Sequence, residues 1–406
     1  MTDHPVSSGT DADSSASAEP GNDVVADAVE DAVDDVTNDA DAGPGRWPET
    51  LSYIQGVQPY LPGESVIPGI NEVVKLSSNE SPLGASPAAL AAARALDDYA
   101  RYPDADCKAL KQAIAERYGV RADRLVCEAG SEQLINLIAR VYAGPGDEIL
   151  YPDYSFIAYR IAAQSCGAAP VAAPTRDFAC DVDALLTAVT ERTRLVFVAN
   201  PNNPTGTMLP RDQVLRLRGE LPDSVLLVLD AAYSEYVEDP TYCAGEELVS
   251  DEAPNTLVLH TFSKLHGLAA LRVGWALCPA PVHDALERMR GLFVGATAQA
   301  AGIAALGDMD HQARSVAHNT RWRQWLTDEL TKAGIRVLPA HGNFVCLDFA
   351  STDACEAADL ALRRAGLIPR TLREYGMPCQ LRITIGLEVH NRGVVAALAS
   401  AVAALR

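Results

Sequence analysis

Four short apolar runs in this 406-residue sequence end in side chains that could do chemistry. The run at 195–199 leads into Asn200-Pro-Asn-Asn203-Pro-Thr-Gly206, where two prolines and a glycine fix a turn that presents amide side chains. The run at 225–229 leads into Asp230-Ala-Ala-Tyr233, and an acid directly after a fully apolar strand is costly unless a cation meets it. The run at 256–260 leads into Thr261-Phe-Ser263-Lys264-Leu-His-Gly267, with Arg272 following closely. The run at 125–127 leads into Ala129-Gly130-Ser131-Glu132 at a helix start, where free backbone N–H groups suit a phosphate. Singly, these read as a turn, a cap, a solvated lysine and another cap. Together, in this order and all at strand ends, they point to one ligand.

That ligand is pyridoxal phosphate, which needs a lysine for an imine and an acid that keeps its pyridine nitrogen protonated. Lys264 supplies the first and Asp230 the second, while Asn203 and Tyr233 face the phenolic oxygen. Gly130, Ser131, Thr261, Ser263 and Arg272 form the phosphate cradle, with Glu132 beside them. Arginine suits that place because its planar fork stays charged and grips phosphate oxygens in pairs. Burial and cationic neighbours should lower the pKa of Lys264 enough for it to act as a general base.

Ligands in open parallel sheets bind beyond the carboxyl ends of the strands, so the elements must deliver these residues to one edge. Strands are expected at 125–127, 148–151, 195–199, 225–229, 256–260 and 273–277, and helices at 86–99 and 131–142. Strands read as continuous apolar runs are buried on both faces, and their alternation with helices predicts an α/β fold with a mostly parallel, helix-covered sheet. Beyond about residue 300 come long helices and strands at 343–349 and 380–385, a smaller α/β C-terminal domain. The expected organisation is an acidic disordered tail over 1–46, an arm over 47–75, a large domain over 76–295 and a small domain over 296–406.

Composition narrows the function classes. Hydrophobic residues make up 48% of the chain and charged residues 21%, with a net charge of −21. Residues 1–45 hold no Lys or Arg, and too little apolar surface to offset ordering entropy. An acidic chain without a basic stripe has no electrostatic footprint for nucleic acid or an anionic membrane. No apolar stretch is long enough to span a bilayer. The nine cysteines show no metal-binding spacing and read as reduced thiols. With no secretory-type N-terminus, the expected location is cytoplasmic.

From about Trp47 to Arg406 the sequence resembles the fold-type-I pyridoxal-phosphate aminotransferases, most of all their histidinol-phosphate aminotransferase branch. The stretches that carry this are KLSSNESPLG at 75–84, RYPDAD at 101–106, AGSEQ at 129–133, NPNNPTG at 200–206, LDAAY at 229–233, TFSKLHGLAALRVGW at 261–275 and LRITIG at 381–386. The resemblance implies a seven-stranded sheet, a homodimer, and ping-pong transamination between histidinol phosphate and 2-oxoglutarate in histidine biosynthesis. It also implies a ring stacked on the cofactor, Phe156 or Tyr154, and Arg382 on the substrate carboxylate. Arg370 would meet a substrate phosphate, Tyr60 and Asn79 would line the substrate pocket, and Tyr102 would reach the cofactor phosphate of a neighbouring subunit. Arg290-Gly-Leu-Phe293-Val departs from the branch's usual Arg-x-Pro-Phe-Asn-like segment and leaves the substrate less defined than the fold. An aromatic amino-acid aminotransferase and a threonine-phosphate-type decarboxylase remain alternatives on the same fold. A transcription regulator with an aminotransferase-like sensor is disfavoured, because residues 1–45 offer no basic DNA-binding helix.

Overall fold

The computed structural model describes residues 48–57, 59, 63–70 and 72–405. The expected acidic tail and Tyr60 lie outside them.

Seven strands form the large sheet: β1 (Leu125–Glu128), β2 (Glu148–Pro152), β3 (Ala169–Ala173), β4 (Thr193–Ala199), β5 (Leu226–Asp230), β6 (Thr256–Thr261) and β7 (Gly274–Leu277). Their order is β1-β7-β6-β5-β4-β2-β3. All pairings are parallel except those of β7, which runs antiparallel to both β1 and β6. The central strands β5 and β6 are buried along their whole length, as a sheet covered on both faces requires. Helices Ser131–Tyr142, Ala158–Ser165 and Ala280–Glu287 cover one face through Leu134, Ile138, Tyr159 and Leu286. Helices Val182–Thr187 and Arg211–Glu220 cover part of the other through Leu185, Val214 and Leu217.

Two sequence expectations differ from the structure in detail. The helix that begins after Ser86 is shorter than 86–99: it spans Pro87–Arg94, with the Ser86 side chain accepting from Ala89 N. Strand β3 has no counterpart in the sequence reading, because APVAA is weakly apolar and contains Pro170. It lies at the sheet edge, where a missing N–H is tolerated.

The C-terminal part is a four-stranded antiparallel sheet with helices. Its strands are β8 (Arg336–Val337), β9 (Phe344–Asp348), β10 (Arg370–Leu372) and β11 (Met377–Thr384), in the order β8-β9-β11-β10. Helices Met309–Lys332, Thr352–Arg364 and Glu388–Leu405 accompany it, and Trp322, Leu326, Val345, Leu362, Ile383 and Leu398 share one core. Helix Ala296–Gly307 packs elsewhere, sharing a core with Leu110, Ile114 and Trp275. The segment Val74–Lys75 pairs in parallel with Leu367–Ile368, and Leu76 enters the C-terminal core. Among the described residues no helix is long and apolar enough to cross a membrane, no metal-holding cluster occurs, and all nine cysteines are free.

Candidate active site

Register brings the four motifs together. Ala199 is the partner of Asp230 across β4 and β5, and Asp230 is the partner of Leu259 across β5 and β6. Gly274 pairs with both Glu128 and Thr261, so the loops after β1 and β6 flank Arg272. The loop at 77–84 crosses above them. Gly267, at φ +65°, lies so close that a Cβ there would come 2.3 Å from the Gly84 carbonyl oxygen.

One cavity of about 260 Å³ results, lined by Ser131, Glu132, Phe156, Asn203, Asp230, Tyr233, Thr261, Ser263, Lys264, Arg272, Arg382 and Asn79. Lys264 Nζ donates to the Ser78 carbonyl at 3.1 Å and lies 5.8 Å from the centre of the Tyr233 ring. Burial, followed by the nearby Arg382 charge, lowers its pKa to about 8. Asp230 accepts from the Tyr159 hydroxyl at 2.8 Å and from Ala232 N at 3.2 Å. Burial pushes its carboxyl above the usual range despite the Tyr159 hydrogen bond, which marks an acid that calls for a cation. The Tyr233 hydroxyl accepts from Asn79 Nδ2 at 2.9 Å, which leaves its own proton to donate. Burial raises its pKa to about 12, so that proton is present at neutral pH.

The Asn-rich turn divides its labour. Asn200 accepts from Leu209 N at 2.9 Å and donates to the Leu209 carbonyl at 3.0 Å. Asn202 donates to the Tyr154 carbonyl and to Thr205 Oγ1 at 3.0 and 2.8 Å. Both hold the loop. Asn203 faces the cavity, and its Oδ1 accepts from Arg382 Nη1. Arginine only donates, so this contact fixes the amide with Nδ2 available to the cavity.

The residues present fit pyridoxal phosphate. A Cβ on Gly130, at φ +93°, would come 2.5 Å from Arg272 Nη2, so only glycine lets that guanidinium approach the helix start. The first N–H groups of helix Ser131–Tyr142 have no intrahelical acceptor and point out of its end. Thr261 Oγ1 and Ser263 Oγ lie 3.0 Å apart beside them. Arg272 itself holds a left-handed backbone at φ 51°, a strained conformation for arginine that its placement in the cradle accounts for.

Arg382 lies across the cavity from the cradle. It is 5% exposed, donates to Asn203 and to the Ser77 carbonyl, and its Nε has no hydrogen-bond partner. Among the described residues neither Arg382 nor Arg272 has an acidic group within ion-pair distance. Arg370 is the cross-strand partner of Arg382, so both side chains share one sheet face. Arg370 does not line the cavity, and it donates to Glu374 at 2.9 Å.

Phe156 lines the cavity, whereas Tyr154 does not; its ring tilts against Phe178. Tyr102 is 85% exposed, stacked on Phe293 at 4.9 Å, and outside the cavity of its own chain. The divergent segment at 290–294 therefore meets Tyr102 through Phe293. Sequence reasoning missed Lys75, Ser77, Ser78, Glu80 and Tyr375 in the cavity wall, and Tyr159 behind Asp230. The alternation at 74–77, with Leu76 in the core, was the available signal for Lys75 and Ser77.

The model of the family described as aminotransferase class I and II matches residues 71–398. The chain belongs to this family. A histidinol-phosphate aminotransferase of Paramagnetospirillum magneticum is 48% identical over 350 residues, covering 85% of this chain and 96% of the relative. One from Sphingopyxis alaskensis is 48% identical over 371 residues, covering 89% and 99%. The crystal structure of histidinol-phosphate aminotransferase from Sinorhizobium meliloti in complex with pyridoxal-5'-phosphate superposes with a TM-score of 0.80 at 26% identity, covering 89% of this chain and 99% of that one. Aspartate aminotransferase from Thermus thermophilus with maleate shares the fold, at 20% identity, a TM-score of 0.76 and coverage of 87% and 100%.

Proposed function

We propose that this chain is a pyridoxal-phosphate-dependent aminotransferase that exchanges the amino group between histidinol phosphate and 2-oxoglutarate, in histidine biosynthesis. One observation carries the reading: a single cavity joins Lys264 and Asp230 to two guanidiniums, Arg272 and Arg382, that have no acid of their own among the described residues. Arg382 is a buried cation without a counter-ion, which is costly, and Arg272, on an exposed turn, brings its guanidinium against Gly130 and Ser263, so the site is arranged for two anionic groups. One is the cofactor phosphate at Arg272. The other is the substrate's acidic group at Arg382, the carboxylate of glutamate or the phosphate of the amine, with Arg370 behind it on the same sheet face but outside the cavity. The relatives at 48% identity support histidinol phosphate as that amine.

When bound, pyridoxal phosphate supplies a conjugated ring that draws electrons from the substrate's α-carbon. Asp230 would hold a proton at the ring nitrogen, Phe156 would pack against the ring, and Tyr233 and Asn203 would donate to the phenolic oxygen. Lys264 Nζ, with its pKa near 8, takes the proton from the α-carbon and returns it on the other side of the exchange. Tyr102 serves the phosphate cradle of a second copy, which makes the working unit a homodimer.

A donor panel on purified protein tests the proposal. Histidinol phosphate should yield glutamate from 2-oxoglutarate with a higher kcat/KM than phenylalanine. Preference for phenylalanine, or release of CO₂ from an amino-acid phosphate, would overturn the substrate assignment. Sedimentation should give a dimer, and Tyr102→Ala should weaken cofactor binding without lowering the Tm of the cofactor-free protein.

A further inference from the structure

A buried cluster behind the strand ends plays no part in the chemistry above. His260, 1% exposed, lies flat on Trp275 with ring centroids 4.1 Å apart and planes 10° from parallel. Its Nε2 is hydrogen-bonded to Glu246 Oε1 at 2.9 Å, whereas its Nδ1 has no hydrogen-bond partner and lies 3.8 Å from Glu235 Oε1, at ion-pair distance only. The Tyr118 hydroxyl donates to the same Glu235 oxygen at 2.9 Å. One carboxylate hydrogen-bonded to Nε2 and a second at ion-pair distance from Nδ1 favour an imidazolium, because a neutral imidazole turns a lone pair toward one of them. In a buried site that mismatch is costly.

The position of the cluster gives it a function. Glu235 sits in the short turn Ser234–Tyr236, directly after Tyr233 and close behind Asp230. His260 is next to Thr261, at the head of the loop that carries Ser263 and Lys264. The backbone ladder between β5 and β6 ends with Ala231 N donating to the Leu259 carbonyl at 2.9 Å. Among the described backbone hydrogen bonds, none joins the two loops beyond that point. The side-chain bridge takes over where the ladder stops.

We propose that His260 is a positioning residue for the reaction: by bridging Glu235 and Glu246 it holds Asp230 and Tyr233 in place relative to Thr261, Ser263 and Lys264. Glu246 belongs to the turn Glu246–Leu248, so the bridge also anchors the two loops to a third segment. The charge state agrees with the geometry. Burial depresses the imidazole, but Glu235 and Glu246 outweigh it and lift the pKa to about 9. The other charged or titratable groups facing the cluster are Tyr118, Arg117, Asp230, Tyr236, Tyr242 and His266. Burial lowers His266 to about 4, which leaves it neutral beside the charged His260. The sign follows: a histidine whose folded pKa exceeds its unfolded one stabilises fully below pH ~6.5 and loses that contribution as pH rises through about 9.

The test uses the cofactor-loaded enzyme, with glutamate as donor so that the outcome does not depend on the proposed amine. His260→Asn should lower kcat and cofactor affinity each by about tenfold, since misplacing reacting groups by a fraction of an ångström costs that much. KM for glutamate should stay within about twofold, because Arg382 is untouched. His260→Arg keeps the charge at all working pH values and should move the alkaline decline of kcat upward. Glu235→Gln should move it downward, and serves in place of His260→Arg if that variant does not fold. An unchanged alkaline limb in the variants, or wild-type kcat and cofactor affinity in His260→Asn, would overturn the proposal. A fall in Tm alone, without the pH shift, would reduce His260 to a core residue and overturn it equally.

Discussion

The two sides of the cavity are built differently. On the large-sheet side each group is held by a neighbour: Tyr159 on Asp230, Asn79 on Tyr233, Thr261 against Ser263. On the C-terminal side Arg382 has an amide and a carbonyl as partners, and one nitrogen with none. The first arrangement suits a ligand that stays, because its donors are fixed before it arrives. The second suits an anion that comes and goes, because neutral partners release a guanidinium more readily than a carboxylate would.

Substitutions can break this contrast. Lys264→Ala should abolish the visible absorbance of covalently held cofactor and reduce transamination by about 10³-fold or more, read by half-reaction spectra. Asp230→Ala should keep part of the cofactor and lose about 10²- to 10³-fold in kcat, since the ring nitrogen loses its counter-ion. A rate near wild type would remove the acid from the mechanism. Arg382→Gln should cost about 10- to 100-fold in kcat/KM for glutamate, the worth of charge-assisted hydrogen bonds, with cofactor loading unchanged. Equal loss of cofactor would erase the distinction between the two sides. Tyr159→Phe should lower kcat by less than about tenfold and stability by about 1 kcal/mol, measured by denaturant titration.

The same contrast has a pH signature. Loading of cofactor-free protein requires the neutral amine of Lys264, whose pKa lies near 8 instead of 10.5. The loading rate should therefore rise through pH 8 and level off above it. A rate still climbing toward pH 10 would show that burial and Arg382 do not act on this lysine as described.

Much of the sheet was legible because buried parallel strands are continuous apolar runs, and the residues after them fall at one edge. Asp230, Lys264, Asn203 and Arg272 were legible on those grounds. Within the Asn-rich turn, type and spacing do not separate Asn200 and Asn202, which hold the loop, from Asn203, which faces the cavity. The hydrogen bonds that separate them come from Leu209, Tyr154 and Arg382, distant in sequence. Tyr159 was hidden because a tyrosine on a buried helix face looks like any core ring; only its spacing of three from Phe156 hinted at a shared task. His260 reads as one more residue of an apolar run, and its partners Glu235 and Glu246 become neighbours only through the fold.

The resting contact of Lys264 is a main-chain oxygen, that of Ser78. Drift in the side chain at 78 leaves this contact in place, so the position can wander over evolutionary time without reaching the reactive amine. An inserted or deleted residue between Leu76, locked in the C-terminal core, and Asn79 would instead carry a different carbonyl to that spot. The segment should thus be intolerant of any change in its length.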